Sequence, residues 1–224
     1  MLSRLLPLLL LVLTRDGALH RFDGHHDTAA TIARAAAVTA LGDGRVAVLA
    51  GGRITVDGKA IAGRFDDVRG LAGGALLWAR TDGAVVQIDV RTGKRAVVLA
   101  LPRLHRLAAD GNDVFAEADG DVVHVGTTER WKIAGQPIAL AAGDGKLWAA
   151  TKAGPLVELD RATGKERTLP LGDWWGTLAL AYGDHALYAV TVAGKLWRID
   201  QGKNQKTIVA MDGWQGAIDL SVLR

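Results

Sequence analysis

The chain contains no cysteine, few aromatic residues, five prolines and two methionines. Without cysteine there are no disulfides, no thiolate metal ligands and no thiol nucleophile. The formal net charge is only +3 and the lysines and arginines are scattered, so the composition does not indicate a nucleic-acid partner. After the first dozen residues no apolar run is long enough to cross a bilayer, and we expect no integral membrane span.

The N-terminal residues fit two interpretations. Residues 1–13 have the cationic start and apolar middle of a secretory signal, but no small-x-small cleavage motif follows them. Leu11 to Thr14 also aligns with a strand of the repeat described below. We therefore divide the chain into residues 1–10, an apolar leader or signal segment, and residues 11–224, a single domain. Periplasmic, secreted and cytoplasmic locations all stay open.

An internal repeat is the main positive feature of the sequence. The chain has 28 glycines, and half of its residues are apolar and grouped in short runs. The best copy of the repeat begins at Leu140, and the next begins at Leu180. Each copy has four short apolar runs separated by Gly-rich or Asp-Gly turns, which is typical of a four-stranded antiparallel blade. The third run of successive copies ends at Asp23, Asp57, Asp89, Gly126, Asp160 and Asp200.

Six copies predict an all-β fold, a six-bladed β-propeller of four-stranded antiparallel blades. The first copy lacks its innermost strand, and Ile218 to Leu223 is a surplus apolar segment after the last copy. An open ring would leave one apolar blade face in water. We therefore predict that the C-terminal strand pairs beside Leu11 to Thr14 and completes the first blade.

The repeat string at residues 143–165 resembles the repeats of NHL, SMP-30/gluconolactonase and streptogramin-lyase-like propellers. The resemblance implies the fold and, as one possible activity, a metal-dependent hydrolase, lactonase or lyase. An SMP-30-type lactonase would present a Glu, Asn and Asp metal set to the channel, but Asn112 and Asn204 both fall at turns away from it. A lyase would show paired histidines with a glutamate, and His25 and His26 fall on the opposite rim. We expect no metal or other cofactor.

Four large side chains share one position in the second strand of the repeat: Trp78, Phe115, Trp148 and Tyr188. We interpret them as wedges between neighbouring blades. Trp174, Trp175 and Trp214 instead fall in the connections between blades and match no repeat position. Two adjacent tryptophans on a loop cannot both point inward, so at least one should be exposed.

These three tryptophans are our candidate ligand site. With Asp173, Asp212 and Gln215 they would form an aromatic platform at the channel mouth, suited to a sugar ring or a peptide. The alternative is that the tryptophans close the blade ends as a hydrophobic lid. Polar contacts from across the channel are expected from Asp66, Asp67, Arg69, His105 and Gln136.

The sequence thus predicts a non-catalytic, monomeric propeller that holds a peptide, a partner protein or a carbohydrate. An enzyme is the alternative. Besides the metal-dependent activities above, it could use the carboxylates of Asp66 and Asp67 with His105 as a base, because a buried carboxylate pair raises one pKa.

Overall fold

A computed structural model describes residues 9–210 and 213–223 of the chain. In this part the chain forms 24 strands in six sheets of four, and no helix is present. Accordingly, no helix in these ranges is long and apolar enough to span a membrane.

Each sheet is one blade, and the strands are numbered along the chain. Blade 1 consists of β24, β1, β2 and β3, and each later blade takes four consecutive strands, from the channel outward. The strands are β1 Leu9–Thr14, β2 Ala18–Phe22, β3 Asp27–Thr31, β4 Ala35–Ala40, β5 Val46–Ala50, β6 Arg53–Val56, β7 Lys59–Ala60, β8 Gly70–Gly73, β9 Leu77–Arg80, β10 Ala84–Ile88, β11 Arg95–Ala100, β12 Leu104–Asp110, β13 Asp113–Ala118, β14 Asp121–His124, β15 Arg130–Lys132, β16 Pro137–Gly143, β17 Lys146–Thr151, β18 Leu156–Asp160, β19 Glu166–Leu169, β20 Thr177–Gly183, β21 Ala186–Thr191, β22 Leu196–Asp200, β23 Gln205–Ala210 and β24 Ala217–Leu223.

The six blades form a closed ring. Each inner strand contacts the inner strand of the next blade, in the cycle β4, β8, β12, β16, β20, β24 and back to β4. Strand β24 pairs antiparallel with β1, with Leu9 opposite Leu223 and Leu13 opposite Asp219. The predicted fold and its closure by the C-terminal strand are confirmed. We predicted a leader or signal segment at residues 1–10. Strand β1 already includes Leu9 and Leu10, and residues 1–8 lie outside the described residues.

The cores lie between adjacent blades, where the pleated sheets face each other. Trp78, Phe115, Trp148 and Tyr188 are all buried there, as predicted from their shared position in the repeat. The Trp148 ring stacks on Tyr182 of the next blade, with 4.5 Å between ring centroids, and its Nε1 donates to Glu158 at 3.2 Å. The Trp148 ring therefore ties blade 5 to blade 6.

The two faces of the ring have different connections. The inner strands all run in the same direction, so the connections that lead into them meet at one face. We call this the upper face; it contains residues 32–34, 61–69, 101–103, 133–136, 170–176 and 213–216. At the opposite, lower face, the inner strands end in tight turns that hydrogen-bond to each other across blades, such as Gly42 N–H to Gly74 O at 2.7 Å.

Candidate functional site

The six inner strands enclose a central channel with a cavity of about 740 Å³. Its wall is largely alanine, leucine and glycine, contributed by every blade, and it also exposes many polar atoms. Four half-buried charged residues, Arg80, Arg106, Asp110 and Asp219, line it as well. The channel is thus a chamber of mixed polar and apolar lining that contains a few charged groups.

Strand register explains how these charges enter the channel. Near the start of the inner strands, Ala37, Ala139 and Ala179 occupy the position that is Arg106 in blade 4 and Asp219 in blade 1. Blades 1 and 4 are opposite each other in a ring of six, so Arg106 and Asp219 lie on opposite walls. In blade 3 the inner strand has Gly70, where an added Cβ would lie 3.4 Å from Arg80 Nε. The missing side chain leaves room for Arg80, which comes from the second strand.

Backbone carbonyl groups hold both channel arginines. Arg80 donates from Nη1 to Leu104 O at 3.3 Å and from Nη2 to Arg69 O at 3.0 Å. Arg106 donates from Nε to Ile138 O at 2.7 Å and from Nη1 to His105 O at 2.8 Å. Each guanidinium therefore bridges to the next blade. Burial lowers the pKa of both arginines; at Arg80 the charge of Arg106 adds to this effect, and at Arg106 the charges of Glu117 and Asp219 oppose it.

Asp219 is a carboxyl group deep in the channel wall. Burial raises its pKa to about 7, against the opposing effect of two backbone N–H donors and the charges of Arg80 and Arg106. The donors are Val38 N–H of blade 2, to Oδ2 at 2.9 Å, and Leu220 N–H, to Oδ1 at 2.9 Å. Asp219 therefore changes charge near neutral pH while joining two blades.

Glu117 is a second buried carboxyl group, opposite Arg106 in the strand register. Its Oε1 accepts the Gly120 N–H at 2.9 Å, and its Oε2 has no hydrogen-bond partner in the described residues. Burial raises its pKa, only partly opposed by the Gly120 bond and the charges of His105 and Arg106. Blade 4 thus carries a buried carboxyl group directly beside the channel-lining Arg106.

The raised pKa of Asp219 predicts a specific pH dependence of stability. Between the unfolded value of 3.8 and about 7, the folded chain binds more protons than the unfolded chain, so the free energy of unfolding falls as the pH rises. The loss is at most about 4 kcal/mol, at 1.36 kcal/mol for each pKa unit. We expect Asp219→Asn to flatten this slope in urea unfolding between pH 4 and pH 8. The control, Asp184→Asn at an exposed residue, should keep the wild-type slope; an unchanged slope in Asp219→Asn would contradict the assignment.

Two of the predicted platform tryptophans are buried. Trp174 and Trp214 are each 3% exposed and belong to cores between blades. Both begin a four-residue turn closed by an N–H from three residues ahead, as does the buried Phe65. They thus share a repeat position, which corrects our reading that they match none. Their placement is that of the alternative we gave, a hydrophobic closure of the blade ends.

Trp175 is the exposed member of the adjacent pair, at 64% exposure, as expected for one of the two. Asp173 Oδ1 accepts its backbone N–H at 3.0 Å and so orders the loop. Gln215 is exposed on the neighbouring connection and lies over Gly194. Asp212 lies outside the described residues.

The remaining predicted site residues lie on the upper face, but they have separate partners. Asp66 pairs with Arg64, and Asp67 pairs with Arg95, which lowers the pKa of Asp67. His105 Nε2 lies 3.7 Å from Asp119 Oδ1. The carboxylate pair expected to have one raised pKa is therefore not formed, because each carboxylate meets its own arginine.

Arg69 and His105 line the channel, and Arg69 is tied to Asp82 at 3.1 Å. Gln136 is exposed in the connection before β16, and its carbonyl accepts the Lys152 N–H at 2.9 Å. Among the described residues, no three or more His, Asp or Glu side chains are grouped as ligands for a metal ion.

Sequence reasoning missed Arg80, Arg106, Glu117 and Asp219. A signal was available, because the repeat places apolar residues such as Ala150 and Val190 at the positions of Arg80 and Glu117. A charged residue at a repeat position that is apolar in other blades indicates a role other than core packing.

Comparison with known proteins supports the class of fold. No family model matches the chain, and no curated protein matches it. Among solved structures, a chain of a nidogen/laminin complex superposes with a TM-score of 0.75 at 12% identity, covering 97% of this chain and 98% of that one. A protein of unknown function from Bacteroides caccae gives 0.64 at 14% identity, covering 98% and 100%. Apo AztD from Citrobacter koseri gives 0.52 at 12% identity, covering 94% and 74%.

The chain is therefore a six-bladed β-propeller. At these identities the likeness concerns the fold alone, since propellers carry many unrelated functions. The resemblance to NHL, SMP-30 and streptogramin-lyase-like repeats stays a resemblance in repeat pattern.

Proposed function

We propose that this propeller is a non-catalytic binding module that holds a peptide, a partner protein or a carbohydrate on its upper face, with Trp175 as the anchor. The observation that supports this is an exposed apolar pair beside the connection into blade 6. Trp175 is 64% exposed and Val192 is 50% exposed. Large apolar side chains exposed together on an otherwise polar surface favour an interaction role.

The two side chains come from different connections that are fixed to each other. Val192 N–H donates to Gly176 O at 2.8 Å, and Gly176 directly follows Trp175. A Cβ added at Gly176 would lie 2.8 Å from Val192 Cγ2, so the two loops are in close contact. The patch is therefore held by backbone contacts, which lowers the entropy lost on binding.

Polar groups flank this patch. Asp173 orders the Trp175 loop, and Gln215 lies over Gly194 in the same turn as Val192. An exposed indole with carboxylate and amide neighbours suits a ligand with one apolar face and several hydroxyl or amide groups. Sugars and extended peptides share this chemistry.

A hydrolase or lyase is the second candidate. The observation that favours it is Asp219, whose raised pKa of about 7 and position inside the channel suit a general acid or base. The two candidate functions require different residues. Binding on the upper face would depend on Trp175, whereas catalysis in the channel would depend on Asp219.

The binding proposal predicts a clear variant effect. Ligands selected from a glycan array and a displayed peptide library on the wild-type chain should bind Trp175→Ala at least about tenfold more weakly, as expected for an aromatic anchor. The melting temperature should stay unchanged because the side chain is exposed. Val97→Ala, on outer strand β11 and 68% exposed, is the matched control and should bind normally.

Selected ligands that bind Trp175→Ala as tightly as the wild type would contradict the role of this patch. A failure of both libraries to give any ligand that the wild-type chain binds would contradict the proposal as a whole.

A further inference from the structure

The two channel guanidinium groups have N–H donors for which residues 9–210 and 213–223 supply no acceptor. A guanidinium has five N–H donors, and Arg80 and Arg106 each donate two hydrogen bonds within the described residues, all to carbonyl oxygens. We propose that the upper part of the channel binds a small organic anion, with a carboxylate or phosphate group between Arg80 and Arg106.

Geometry supports an anion rather than a purely structural role for the arginines. Only one hydrogen bond of each group reaches the next blade, Arg80 to Leu104 O and Arg106 to Ile138 O, and a carbonyl oxygen does not neutralise the charge. A buried cation without a carboxylate partner is costly. Both groups line the same cavity, on adjacent blades, and planar guanidinium groups match the oxygens of carboxylate and phosphate.

Other ionisable groups around the arginines leave this charge available. Arg69 is neutralised by Asp82 and His105 lies beside Asp119, both on the upper rim. Glu117 lies behind Arg106 in the register of blade 4, with Oε1 held by Gly120 N–H. Three more acids line the cavity: Asp43, Asp110 and Asp219. Asp43 pairs with Arg45, Asp110 pairs with Arg161, and the Val38 and Leu220 N–H groups hold the carboxyl group of Asp219. None of these acids forms an ion pair with Arg80 or Arg106 among the described residues.

Cavity size and lining suggest the rest of the ligand. A volume of about 740 Å³ is within the range of small-molecule sites. Ala37, Ala108, Ala139 and Ala179 are small residues on four of the six inner strands, and their size leaves room in the channel. The lining exposes polar as well as apolar atoms, so it can contact both the alkyl tail and the polar groups of a small ligand. This site is inside the channel and is independent of the patch around Trp175.

The test uses three ligands of the same length and different head groups: hexanoate, hexyl phosphate and hexylammonium. Isothermal titration on the full chain should show binding of at least one anion and none of hexylammonium. Arg80→Gln and Arg106→Gln should each weaken anion binding about tenfold or more, as expected for loss of a charged hydrogen-bond donor. Arg64→Gln, an exposed arginine paired with Asp66, and Trp175→Ala should bind like the wild type.

The pattern of results separates the possibilities. Hexanoate alone, or hexyl phosphate alone, would identify the head group while supporting the site. Equal binding of anions by wild type and both channel variants would overturn it, as would binding of hexylammonium or no anion binding up to 10 mM, roughly the weakest affinity such a pair should give. Arg106→Lys, which keeps the charge, covers the case in which Arg106→Gln does not fold; it should fold and bind more weakly than the wild type, and wild-type affinity in it would also overturn the site.

Discussion

A chain that ends after Gly216 is expected to lose cooperative folding. Strand β24 is the inner strand of blade 1, and its removal takes away the whole β1–β24 ladder from Leu9↔Leu223 to Thr14↔Ala217. It also removes the contacts of β24 with β20 and β4, the inner strands on either side. The ring would then be open, with an apolar face of blade 6 in water.

The size of this effect follows from what β24 buries. Leu220, Val222 and Ala217 are all under a tenth exposed, and Leu10, Val12 and Tyr188 of the same core would become accessible. Each large side chain contributes about 1.5–3 kcal/mol on burial. Together with the lost ladder this approaches the whole stability of a typical domain, roughly 5–15 kcal/mol.

Thermal unfolding followed by near-ultraviolet circular dichroism measures this loss. The truncated chain should show no sharp transition, and a synthetic peptide of residues 215–224 added in excess should restore one. A truncated chain that melts like the wild type would show that the ring does not depend on β24.

Gly74→Ala is expected to destabilise the fold by about 3 kcal/mol, the upper part of the range for overpacking. An added Cβ at Gly74 would lie 2.0 Å from the carbonyl oxygen of Gly111 in the next blade. This atom belongs to backbone that accepts the Ala75 N–H at 2.8 Å, so it cannot move without breaking a bond between blades. Only a residue without a Cβ allows the inner strands to approach this closely at the lower face.

Gly83→Ala is the matched control, because an added Cβ there meets no atom within 4 Å and the backbone has no positive φ. It should leave the free energy of unfolding within about 0.5 kcal/mol, or raise it slightly by restricting the unfolded chain. Urea unfolding of both variants measures the difference. Equal stabilities would mean that the blades do not approach at Gly74 as described.

The repeat made the fold predictable. Turn glycines recur in every blade and the aromatic wedge recurs in four of the six, for local steric reasons, so they can be recognised in one sequence without relatives. The closing strand was predictable too, because Ile218 to Leu223 has the alternation of an inner strand and no further blade to serve. These features depend on short-range chemistry.

The candidate site was only partly predictable. The burial of Trp174 and Trp214 depends on how each connection turns back onto its own blade, and the spacing of large apolar residues from Phe65 onward was the only signal. Asp66 and Asp67 gain arginine partners that lie on different parts of the fold, Arg64 nearby and Arg95 in the next blade. The Arg64–Asp66 pair is local in sequence, whereas the Arg95–Asp67 pair joins residues 28 positions apart and depends on the fold.

Channel charges were the least predictable feature. Arg80 enters the channel from a second strand because Gly70 leaves space, and Asp219 enters because β24 completes blade 1. Both placements depend on the register of the paired strands, which cannot be read from a single sequence. They become visible only when each position of the repeat is compared across the six blades.

Ring closure in solution is tested most directly by a disulfide between the two ends of the ring. Leu11 and Ser221 are directly opposite in the β1–β24 ladder, and cross-strand partners are within disulfide reach. The chain has no cysteine of its own, so a Leu11→Cys, Ser221→Cys double variant reports on this pair alone. Mass spectrometry after mild oxidation should show an intramolecular cross-link in nearly all of the protein, and none in Leu11→Cys, Val98→Cys. Free thiols or only intermolecular dimers in the first variant would contradict a closed six-bladed ring.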